Sequence, residues 1–399
     1  MKLKTEPTPT LRVLGVMTGT SCDGLDAACV EIDDTGWRPL WSASAPFPKQ
    51  LSDRVFKFQA PGTRQPIADW LSLNRDLGDW YGQALARLIA RNGGKGGPEA
   101  PQAVANHGQT LAHFPAKRAQ GTTLQLGDPT RIARATGLTV ISHFRDGDLA
   151  AGGQGAPLVP LFHQLISLAL GPSNGIAIHN LGGISNLTYI APDGALLAFD
   201  TGPGNLWIDE ATRIFTRGKQ RFDRGGRIAR TAQPDTKAVQ AVLKHPYFKK
   251  SAPKSTGRDE FSFSVLSRAT RAKGAALVAT ATAITAESIA GSYRQFVLKR
   301  GMPLERIYFV GGGAKNTGLL SQIRALLPGV EVSSLQETGF DPQMIEAQAF
   351  AYFGFLALCG QPIGGAWTGA RGFGPPAHII PGENWDEICA WLSVLHAAR

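Results

Sequence analysis

Two apolar runs near the start of the chain flank a short polar stretch. Arg12–Met17 and Leu25–Ile32 have the apolar, partly alternating pattern that is typical of β-strands. The residues that join them, "TGTSCDG", contain glycines, hydroxyls and a carboxylate, and a second carboxylate follows at Asp26. A hairpin needs only one or two turn residues such as Asn-Gly. This bend therefore carries more polar chemistry than a connection between two strands requires.

The next segments alternate between helical and strand patterns. Ile67–Gly93 keeps helical spacing and stops at Asn-Gly-Gly, which favours a helix end. Gln102–His113 predicts a buried strand with polar residues towards its end, Asp128–Gly137 a short helix with an aspartate N-cap, and Leu138–Phe144 a further strand. The first half of the chain is thus predicted to mix strands and helices.

The order of elements predicted for the opening stretch occurs again in the second half. Gly175–Asn205 predicts strand, glycine-rich turn, strand, Asp-Gly turn and strand, followed by a second glycine-rich loop. The two stretches share a pattern of elements more than they share residues. The repeat predicts two similar halves, each of which offers a polar hairpin to one cleft.

Later apolar segments complete this pattern. Ala275–Gly301 predicts a long helix, Arg306–Asn316 a strand that breaks into three glycines, and Asp341–Gly360 another helix. Because strands alternate with helices throughout, we expect α/β layers. Charge marks no linker, so the repeat alone indicates where one half ends.

Composition narrows the class of protein. The 399 residues suffice for two domains, and 43% hydrophobic with 18% charged residues is typical of a globular chain. The four cysteines form no CxxC pair, so we expect neither a zinc site nor a disulfide framework. The first residues lack the apolar core of a signal peptide, and no apolar run approaches the roughly 20 residues that span a bilayer. We therefore expect a reduced, cytoplasmic protein.

The net charge of +10 could indicate a nucleic-acid partner. However, the sequence contains neither a stripe of basic residues interleaved with aromatic ones nor a recognised nucleic-acid-binding motif. We interpret the charge as a general attraction for an anionic small ligand. We expect neither a nucleic acid nor a membrane as a partner.

The first polar bend has the composition of an anion site. Gly19–Gly24 combines glycines, whose backbone N–H groups can reach phosphate oxygens, with hydroxyl donors. Asp23 and Asp26 would repel a phosphate unless a divalent cation lay between them and it. The pattern is neither a P-loop nor a GxGxxG fingerprint, and simple closure of a hairpin is the alternative. We prefer phosphate binding.

Two later glycine clusters allow the same pair of interpretations. His179–Asn186 could be no more than a turn, but its place in the repeat favours phosphate binding. Val310–Asn316 ends a strand and opens a helix, so a tight β–α turn is its alternative. Three consecutive glycines exceed what such a turn needs, and they would let a flat base lie against bare backbone.

Four further segments carry candidate polar groups. Asp200 follows an apolar strand in "FDTGPGN", where it would be held rigidly as a general base or would merely cap its loop. Phe144–Leu158 has an arginine and two aspartates before a glycine-rich run. This segment could be a hinge between domains, a ligand contact or both. Ala105–Thr110 carries a histidine and a glutamine, for which a structural role is the alternative. Pro253–Arg258 is a basic loop that is either solvated or closes over an anion.

The ordered set of motifs resembles one family, the anhydro-N-acetylmuramic acid kinases. The matching pieces extend from Gly15 to Ala370 and are "GVMTGTSCDGLD", "NHGQT", "FRDGDLAAGGQGAPLVP", "NLGGISNLTYI", "FDTGPGN", "PKSTGRDEF", "GGGAKN", "EAQAFA" and "TGA". The resemblance implies an α/β, two-domain actin-like (ribonuclease H-like) ATPase fold with a central cleft, which Hsp70 and sugar kinases share. Domain I would comprise residues 1–143 plus 367–399, and domain II residues 144–366.

The resemblance also implies a reaction. ATP, water and 1,6-anhydro-N-acetylmuramic acid would give N-acetylmuramic acid 6-phosphate and ADP, a step of peptidoglycan recycling and amino-sugar metabolism. Asp200 would be the catalytic base that takes a proton from the attacking water. Mg²⁺ would neutralise the triphosphate, with Asp23 as a ligand of the metal. The family leads us to expect a homodimer.

The remaining roles are implied position by position. Residues expected to bind ATP are Gly19, Thr20, Ser21, Cys22, Asp23, Gly24, Leu25, Asp26, Asn180, Gly182, Gly183, Ser185, Asn186, Gly202, Gly204, Asn205, Gly311, Gly312, Gly313 and Asn316. Residues expected to bind the sugar are His107, Gln109, Thr110, Arg145, Asp148 and Glu346. Arg145 would pair the lactyl carboxylate, since arginine makes bidentate contacts with carboxylates.

Four positions depart from the usual family pattern. They are Thr18, Cys22, His143 and Asp259, where Ser, Met, Asp and Glu are usual. Because His143 and Asp259 bear on sugar preference, a kinase for another anhydrosugar, such as levoglucosan, is the first alternative. An actin-like or Hsp70-like ATP switch is the second, although such a switch does not need the Asp200 loop.

Overall fold

Contacts divide the chain into two compact units. The computed structural model describes residues 9–19, 21–60, 62–94, 96–115, 120–257, 260–372 and 374–398. Unit 1 comprises Met1–Phe162 and Met344–Arg399, and unit 2 comprises His163–Gln343. Unit 2 is therefore a single stretch of chain, whereas unit 1 is assembled from two stretches that are distant in sequence.

The elements of both units follow in chain order. The strands are β1 (Leu11–Thr18), β2 (Gly24–Ile32), β3 (Trp37–Pro46), β4 (Ala103–Asn106), β5 (Gln109–Phe114), β6 (Thr122–Leu126), β7 (Thr139–Ser142), β8 (Ile176–Leu181), β9 (Ile184–Ile190), β10 (Leu196–Pro203), β11 (Arg306–Val310), β12 (Glu331–Ser334) and β13 (His378–Ile380). The α-helices are α1 (Lys49–Gln59), α2 (Ile67–Asn92), α3 (Pro129–Thr136), α4 (Asp146–Ala150), α5 (Pro160–Ala169), α6 (Leu206–Phe215), α7 (Thr236–Leu243), α8 (Phe263–Ala269), α9 (Ala275–Phe296), α10 (Thr317–Leu326), α11 (Ile345–Leu358) and α12 (Trp385–Ala398).

Unit 1 is built on a sheet of order β13-β7-β4-β1-β2-β3. β1 is antiparallel to β2 and parallel to β4, and β4 is parallel to β7. Helix α11 packs closely on β1, because a Cβ atom added to Gly15 would overlap the carbonyl oxygen of Ala347. Only glycine lets the two backbones approach this closely.

Unit 2 repeats the same strand order. Its sheet runs β10-β9-β8-β11-β12, with β8 antiparallel to β9 and parallel to β11, and β11 parallel to β12. When strands are numbered only within their own sheet, both sheets have the order 3-2-1-4-5, namely β3-β2-β1-β4-β7 in unit 1 and β10-β9-β8-β11-β12 in unit 2. Unit 1 adds β13 at one edge, and its β5 and β6 pair with each other in a separate sheet. The predicted repeat is confirmed, as is the predicted α/β class.

Each unit has its own hydrophobic core. The core of unit 1 includes Leu14, Leu77 and Tyr81, and that of unit 2 includes Trp207 and Phe309. Such separate cores are expected of a chain of this length.

The segment Ala275–Arg300, which contains α9, corrects the expectation that no apolar run approaches a membrane span. By length and composition alone this segment could cross a membrane, but 67% of its apolar window is buried inside the protein. It packs among the core residues of unit 2, such as Phe199 and Leu320. A buried core helix passes the same test of length and composition.

One predicted strand and the predicted limits of the two domains differ from the structure. The strand predicted over Gln102–His113 is two strands, because Gly108 between them has a φ of 77° and turns the chain out of β4. The contact units also change at 162/163 and 343/344 rather than at the predicted 143/144 and 366/367. Asp148 explains part of this difference, because its carboxylate accepts a hydrogen bond from Thr368 and so ties residues after 143 to the end of the chain.

Candidate active site

The predicted phosphate bend of unit 1 is a tight turn that is anchored to β5. The N–H of Cys22 donates to the carbonyl of Gly19 (3.1 Å), and the side-chain amide of Gln109 donates to the same carbonyl (3.3 Å). Gly24 opens β2 directly after the turn. The predicted ATP ligand Thr20 lies outside the described residues.

Side chains of this bend point in two directions. Ser21 and Asp23 are exposed. Cys22 and Leu25 are buried in the core of unit 1, and burial raises the pKa of the Cys22 thiol to about 11. Cys22 and Leu25 can therefore meet a ligand only through their backbone atoms, whereas Ser21 and Asp23 can also offer their side chains.

In unit 2 the predicted glycine clusters come together. The N–H of Gly204 donates to the carbonyl of Gly183 (2.9 Å), and the N–H of Asn205 donates to the carbonyl of Gly182 (2.8 Å). The Asn205 side chain donates to the carbonyl of Leu181 (2.8 Å). The β8–β9 bend and the loop after β10 thus form one continuous backbone surface.

The third glycine cluster packs against this surface. A Cβ atom added to Gly311 would overlap the side chain of Asn180, and one added to Gly313 would lie 2.6 Å from Asn205 Oδ1. A Cβ atom on Gly312 would meet nothing within 4 Å. Close packing therefore explains the glycines at 311 and 313, and Gly312 is the one that faces open space.

Three other predicted ATP ligands of unit 2 have structural partners. Ser185 is buried, and its hydroxyl contacts His179 Nε2 (2.6 Å) and Thr201 Oγ1 (2.9 Å). Asn316 caps α10 by accepting from the N–H of the third residue of that helix (3.1 Å). Asn186 lies in the β8–β9 ladder. Their roles in ATP binding stay predictions.

Asp200 lies where the ladder between β9 and β10 is interrupted. The register shifts between Asp200 and Gly202, and Gly202 has a φ of 130°. The Asp200 carboxylate accepts from the N–H of Thr256 (2.9 Å), its N–H donates to the carbonyl of Lys254 (3.1 Å), and its carbonyl accepts from the hydroxyl of Tyr247 (2.6 Å). A neighbouring segment thus holds both the backbone and the carboxylate of Asp200.

The environment of Asp200 makes it a stronger base than an ordinary aspartate. Burial raises its pKa to about 6, although the Thr256 N–H and the charge of Lys254 act in the opposite direction. At pH 7 such a group is ionised in a ratio of about ten to one. It can therefore accept a proton at neutral pH and retain it more strongly than an exposed carboxylate.

Sequence reasoning missed the residues that hold Asp200. Tyr247 and Thr256 are separated from Asp200 by 47 and 56 positions. The sequence predicts that the motif that contains Thr256, Pro253–Arg258, is solvated or closes over an anion, and nothing in its spacing connects it to Asp200. Such a link is visible only in three dimensions.

Unit 1 brings Arg145 and His107 together. Arg145 Nε and Nη2 lie 3.1 and 2.9 Å from His107 Nε2, and Nη1 donates to the carbonyl of Gly155 (2.7 Å). His107 Nδ1 lies 2.8 Å from the carbonyl of Gly108, so Nδ1 carries the proton and Nε2 is the acceptor. The His107 ring also packs on Phe350 (centroids 4.7 Å apart). Of the five N–H groups of Arg145, two have no acceptor among the described residues and can meet a ligand.

The charges of this pair are clear. Burial and the charge of Arg145 hold the pKa of His107 well below its usual value, so the imidazole is neutral. Burial lowers the pKa of Arg145 to about 10, which leaves the guanidinium charged at pH 7. The Glu346 side chain is exposed at the edge of this cluster. Partial loss of hydration to the surrounding protein atoms raises its pKa, the charge of Arg145 opposes the rise and the charge of Asp26 adds to it. The result is a fixed positive group beside a carboxylate.

The other predicted sugar residues of unit 1 lie near this pair. The Asp148 carboxylate accepts from the N–H of Gly155 (2.6 Å) and from the hydroxyl of Thr368 (2.5 Å), so it fixes two loops. The side-chain oxygen of Gln109 is buried and has no hydrogen-bond partner in the described part of the chain. Thr110 accepts from Gln109 through its carbonyl (3.4 Å). Asp148 is thus committed to the framework, whereas Gln109 has a free acceptor.

The residues at the first bend are compatible with magnesium. Within the described ranges, no group of three or more His, Cys, Asp or Glu side chains could hold a metal. Mg²⁺ is usually held by one or two carboxylates together with phosphate oxygens and water. The exposed Asp23, with Asp26 three residues on, suits a metal that arrives on a nucleotide; Asp26 also accepts from the Ser44 hydroxyl (2.6 Å).

Comparison with known proteins decides the family. The family model described as anhydro-N-acetylmuramic acid kinase matches residues 11–373. The chain belongs to this family. An anhydro-N-acetylmuramic acid kinase from Gloeobacter violaceus is 38% identical over 366 residues, which are 89% of this chain and 94% of the relative. One from Streptomyces coelicolor is also 38% identical, over 94% of this chain and 95% of the relative.

Membership confirms the resemblance that the motifs indicated. The chain is an ATP-using kinase, and its two repeated sheets with helices agree with the α/β class that the motifs predicted. A solved structure of a ROK family glucokinase from Streptomyces griseus, in complex with glucose and AMPPNP, is more distant. It is 14% identical and has a TM-score of 0.36, over 86% of this chain and 98% of that one.

Proposed function

We propose that this kinase opens the 1,6-anhydro ring of 1,6-anhydro-N-acetylmuramic acid with water and phosphorylates O6 with ATP. The products are N-acetylmuramic acid 6-phosphate and ADP. The observation that carries the proposal is the placement of Asp200, a carboxylate with a pKa of about 6 that is fixed at an interrupted strand. The family to which the chain belongs supplies the substrate class.

A single base suffices for this reaction. Asp200 takes a proton from water, and the water oxygen forms a bond to the anomeric carbon as the bond from that carbon to O6 breaks. O6 keeps the electron pair and attacks the γ-phosphorus of ATP, from which ADP leaves. Ordinary glycosidases need a second carboxyl group to protonate the leaving oxygen. Here the leaving oxygen is the phosphoryl acceptor, and water attacks from the opposite face, so the anomeric carbon inverts.

Arg145 is our choice for the group that binds the lactyl carboxylate of the sugar. It is charged, and His107 and the Gly155 carbonyl hold its guanidinium plane in place. Two of its N–H groups remain available, which matches the two oxygens of a carboxylate. Gln109 is fully buried and donates to the Gly19 carbonyl, so we assign it the role of fixing the bend of unit 1 beside the sugar.

The nucleotide roles follow the two polar bends. We assign phosphate contacts to the backbone of Gly19–Gly24 and to the surface formed by Gly182, Gly183 and Gly204, and the adenosine to Gly312. Mg²⁺, held by Asp23 and the phosphates, would neutralise charge on the triphosphate.

We further propose that the protein is a cytoplasmic homodimer; light scattering of the purified chain tests the dimer.

Isotope labelling shows which atom of the product receives the oxygen of water. In H₂¹⁸O, the label should appear on the anomeric carbon of freshly formed product, and the phosphate ester should contain none, as read by mass spectrometry and ³¹P NMR. Early NMR spectra should show the inverted anomer. An ATP switch would instead release labelled inorganic phosphate without any sugar product.

A substitution tests the base. Asp200→Asn removes the proton acceptor but keeps an oxygen for the Thr256 N–H, so kcat should fall by about 10²- to 10⁴-fold while the fold persists. Asp193→Asn, in the turn before β10, is the matched control and should retain activity. Full activity of Asp200→Asn would remove Asp200 from its role.

A substrate panel tests the sugar. Turnover of the muramic compound should exceed turnover of levoglucosan, which lacks the lactyl and N-acetyl groups. The reverse result would assign the enzyme to another anhydrosugar.

A further inference from the structure

The segment Pro253–Gly257 wraps the strand that carries Asp200. Its contacts reach both the backbone N–H and the carboxylate of Asp200, through the Lys254 carbonyl (3.1 Å) and the Thr256 N–H (2.9 Å). Glu260 holds the segment in turn, because it accepts from the Thr256 hydroxyl (2.8 Å). The segment is therefore part of the framework of the proposed base and not a free surface loop.

Lys254 occupies an unusual position within this segment. Its ammonium nitrogen lies 5.1 Å from the ring centroid of Phe199, 4.8 Å from that of Tyr247 and 4.5 Å from that of Phe296. It also lies 3.4 Å from the carbonyl of Tyr247, to which it donates. Faces of aromatic rings attract cations, so three rings and a carbonyl define one place for this charge.

The other charged and titratable groups around Asp200 are few among the described residues. Tyr247 donates its hydroxyl to the Asp200 carbonyl, and burial keeps this phenol protonated. Lys250 is paired with Glu260 (3.3 Å) and is largely exposed. Lys254 is the cation whose charge acts on Asp200. Burial lowers the pKa of Lys254 to about 8, the charge of Lys250 lowers it further and Asp200 opposes the fall, so the ammonium is charged over the pH range in which Asp200 titrates.

We propose that Lys254 is a positioning residue for Asp200, whose caged ammonium keeps the carboxylate ionised and whose carbonyl fixes the strand. The inference rests on the proposed role of Asp200 as the base. Lys254 does not touch the substrate in this account. It acts by stabilising the anionic form of a carboxylate whose pKa is raised by burial.

The lysine charge should set the lower pH limit of the enzyme. Lys254→Met keeps an unbranched side chain among the rings but removes the charge. Because a nearby cation stabilises a carboxylate anion, its loss raises the pKa of Asp200, and the acid limb of kcat/KM should move to higher pH by about half to one unit. Lys254→Arg keeps the positive charge, so its acid limb should lie at the same pH as that of the unaltered enzyme. Lys250→Met, which removes the neighbouring cation, should leave it in place.

Two outcomes would overturn the inference. One is an unchanged acid limb in Lys254→Met, and the other is an equal displacement in Lys250→Met. If Lys254→Met lowers Tm so far that it cannot be assayed, Lys254→Gln provides the same loss of charge, and the same two outcomes apply to it.

A second measurement separates this inference from the proposed reaction. In protein labelled with ¹³C at aspartate carboxyls, Asp200→Asn identifies the Asp200 resonance, whose titration midpoint can be followed without any substrate. The midpoint should rise in Lys254→Met and return in Lys254→Arg. If the midpoint rises in Lys254→Met but the unaltered protein turns over no anhydrosugar, the proposed reaction is refuted and the effect of Lys254 on Asp200 is retained. If the midpoint is unchanged in Lys254→Met but the unaltered enzyme is active, the reaction is retained and the positioning role is refuted.

Discussion

At the scale of single residues, the pair of Arg145 and His107 shows how a neutral imidazole can orient a charged group. Because Nδ1 of His107 donates to the Gly108 carbonyl, Nε2 must accept from Arg145, and the guanidinium plane is fixed before any ligand arrives. A fixed plane lowers the entropy that binding costs. The same residues would lose this property if His107 were protonated, and burial beside a cation prevents that.

Arg145→Lys tests the fixed plane. A single ammonium cannot serve His107, the Gly155 carbonyl and a ligand carboxylate in the same geometry, so KM for the sugar should rise by about 10- to 100-fold. KM for ATP should stay near its original value. Arg131→Lys, at a half-exposed ion pair with Asp79, is the control. Equal rises in both KM values would indicate general disruption of unit 1 instead.

The sequence identified the kinds of residue at the site better than their contacts. Asp200 stands out because an apolar strand ends beside a glycine-rich loop, which is a local signal. Its partners Tyr247 and Thr256 lie 47 and 56 positions away, and no local pattern encodes such a distance. Asp148 shows the reverse case. Its motif suggested a ligand contact, whereas its carboxylate is occupied by Gly155 and Thr368.

At the scale of elements, hydrophobic alternation located β1, β2, β8, β9 and β10 well, because burial on a sheet imposes a period of two on neighbouring residues. The break between β4 and β5 was missed because one glycine with a positive φ produces it within an apolar run. Elements without a strong apolar face, such as β3 and β13, were missed for a related reason. Their burial is partial, so their pattern is weak.

The crossing of α11 over β1 gives a prediction at this scale. Gly15→Ala would place a methyl group against the backbone of α11 and should lower the free energy of unfolding by about 1–3 kcal/mol, as overpacking does. Gly36→Ala is the control, since nothing lies within 4 Å of its added Cβ. Thermal denaturation of both variants measures the difference. Equal Tm values would contradict the close packing.

At the scale of the whole molecule, the two units share a strand order although their sequences share few residues. Pairing of β8 with β11, or of β1 with β4, joins segments that are separated by several other elements. Sequence patterns predicted a repeat but not which strands lie side by side, because pairing between distant parallel strands leaves no local mark. Family membership, by contrast, follows from the order of the motifs along the chain.

Ligand binding should be visible in the stability of the whole molecule. ATP at about 100 times its Kd should stabilise the protein by about 2.7 kcal/mol, which raises Tm in a concentration-dependent way. Gly312→Val should leave Tm unchanged without ATP, because the position faces open space, but should reduce the ATP-dependent rise. Differential scanning fluorimetry measures both. An undiminished rise in Gly312→Val would place the adenosine elsewhere.

The interruption of unit 1 by unit 2 has a consequence for biosynthesis. A ribosome finishes all of His163–Gln343 before it makes α11, the helix that covers β1. Unit 2 can therefore complete its fold on the nascent chain, while one face of the sheet of unit 1 is still uncovered. Chains that terminate prematurely after Gln343 would expose that apolar face permanently, which makes them natural clients for chaperones and proteases.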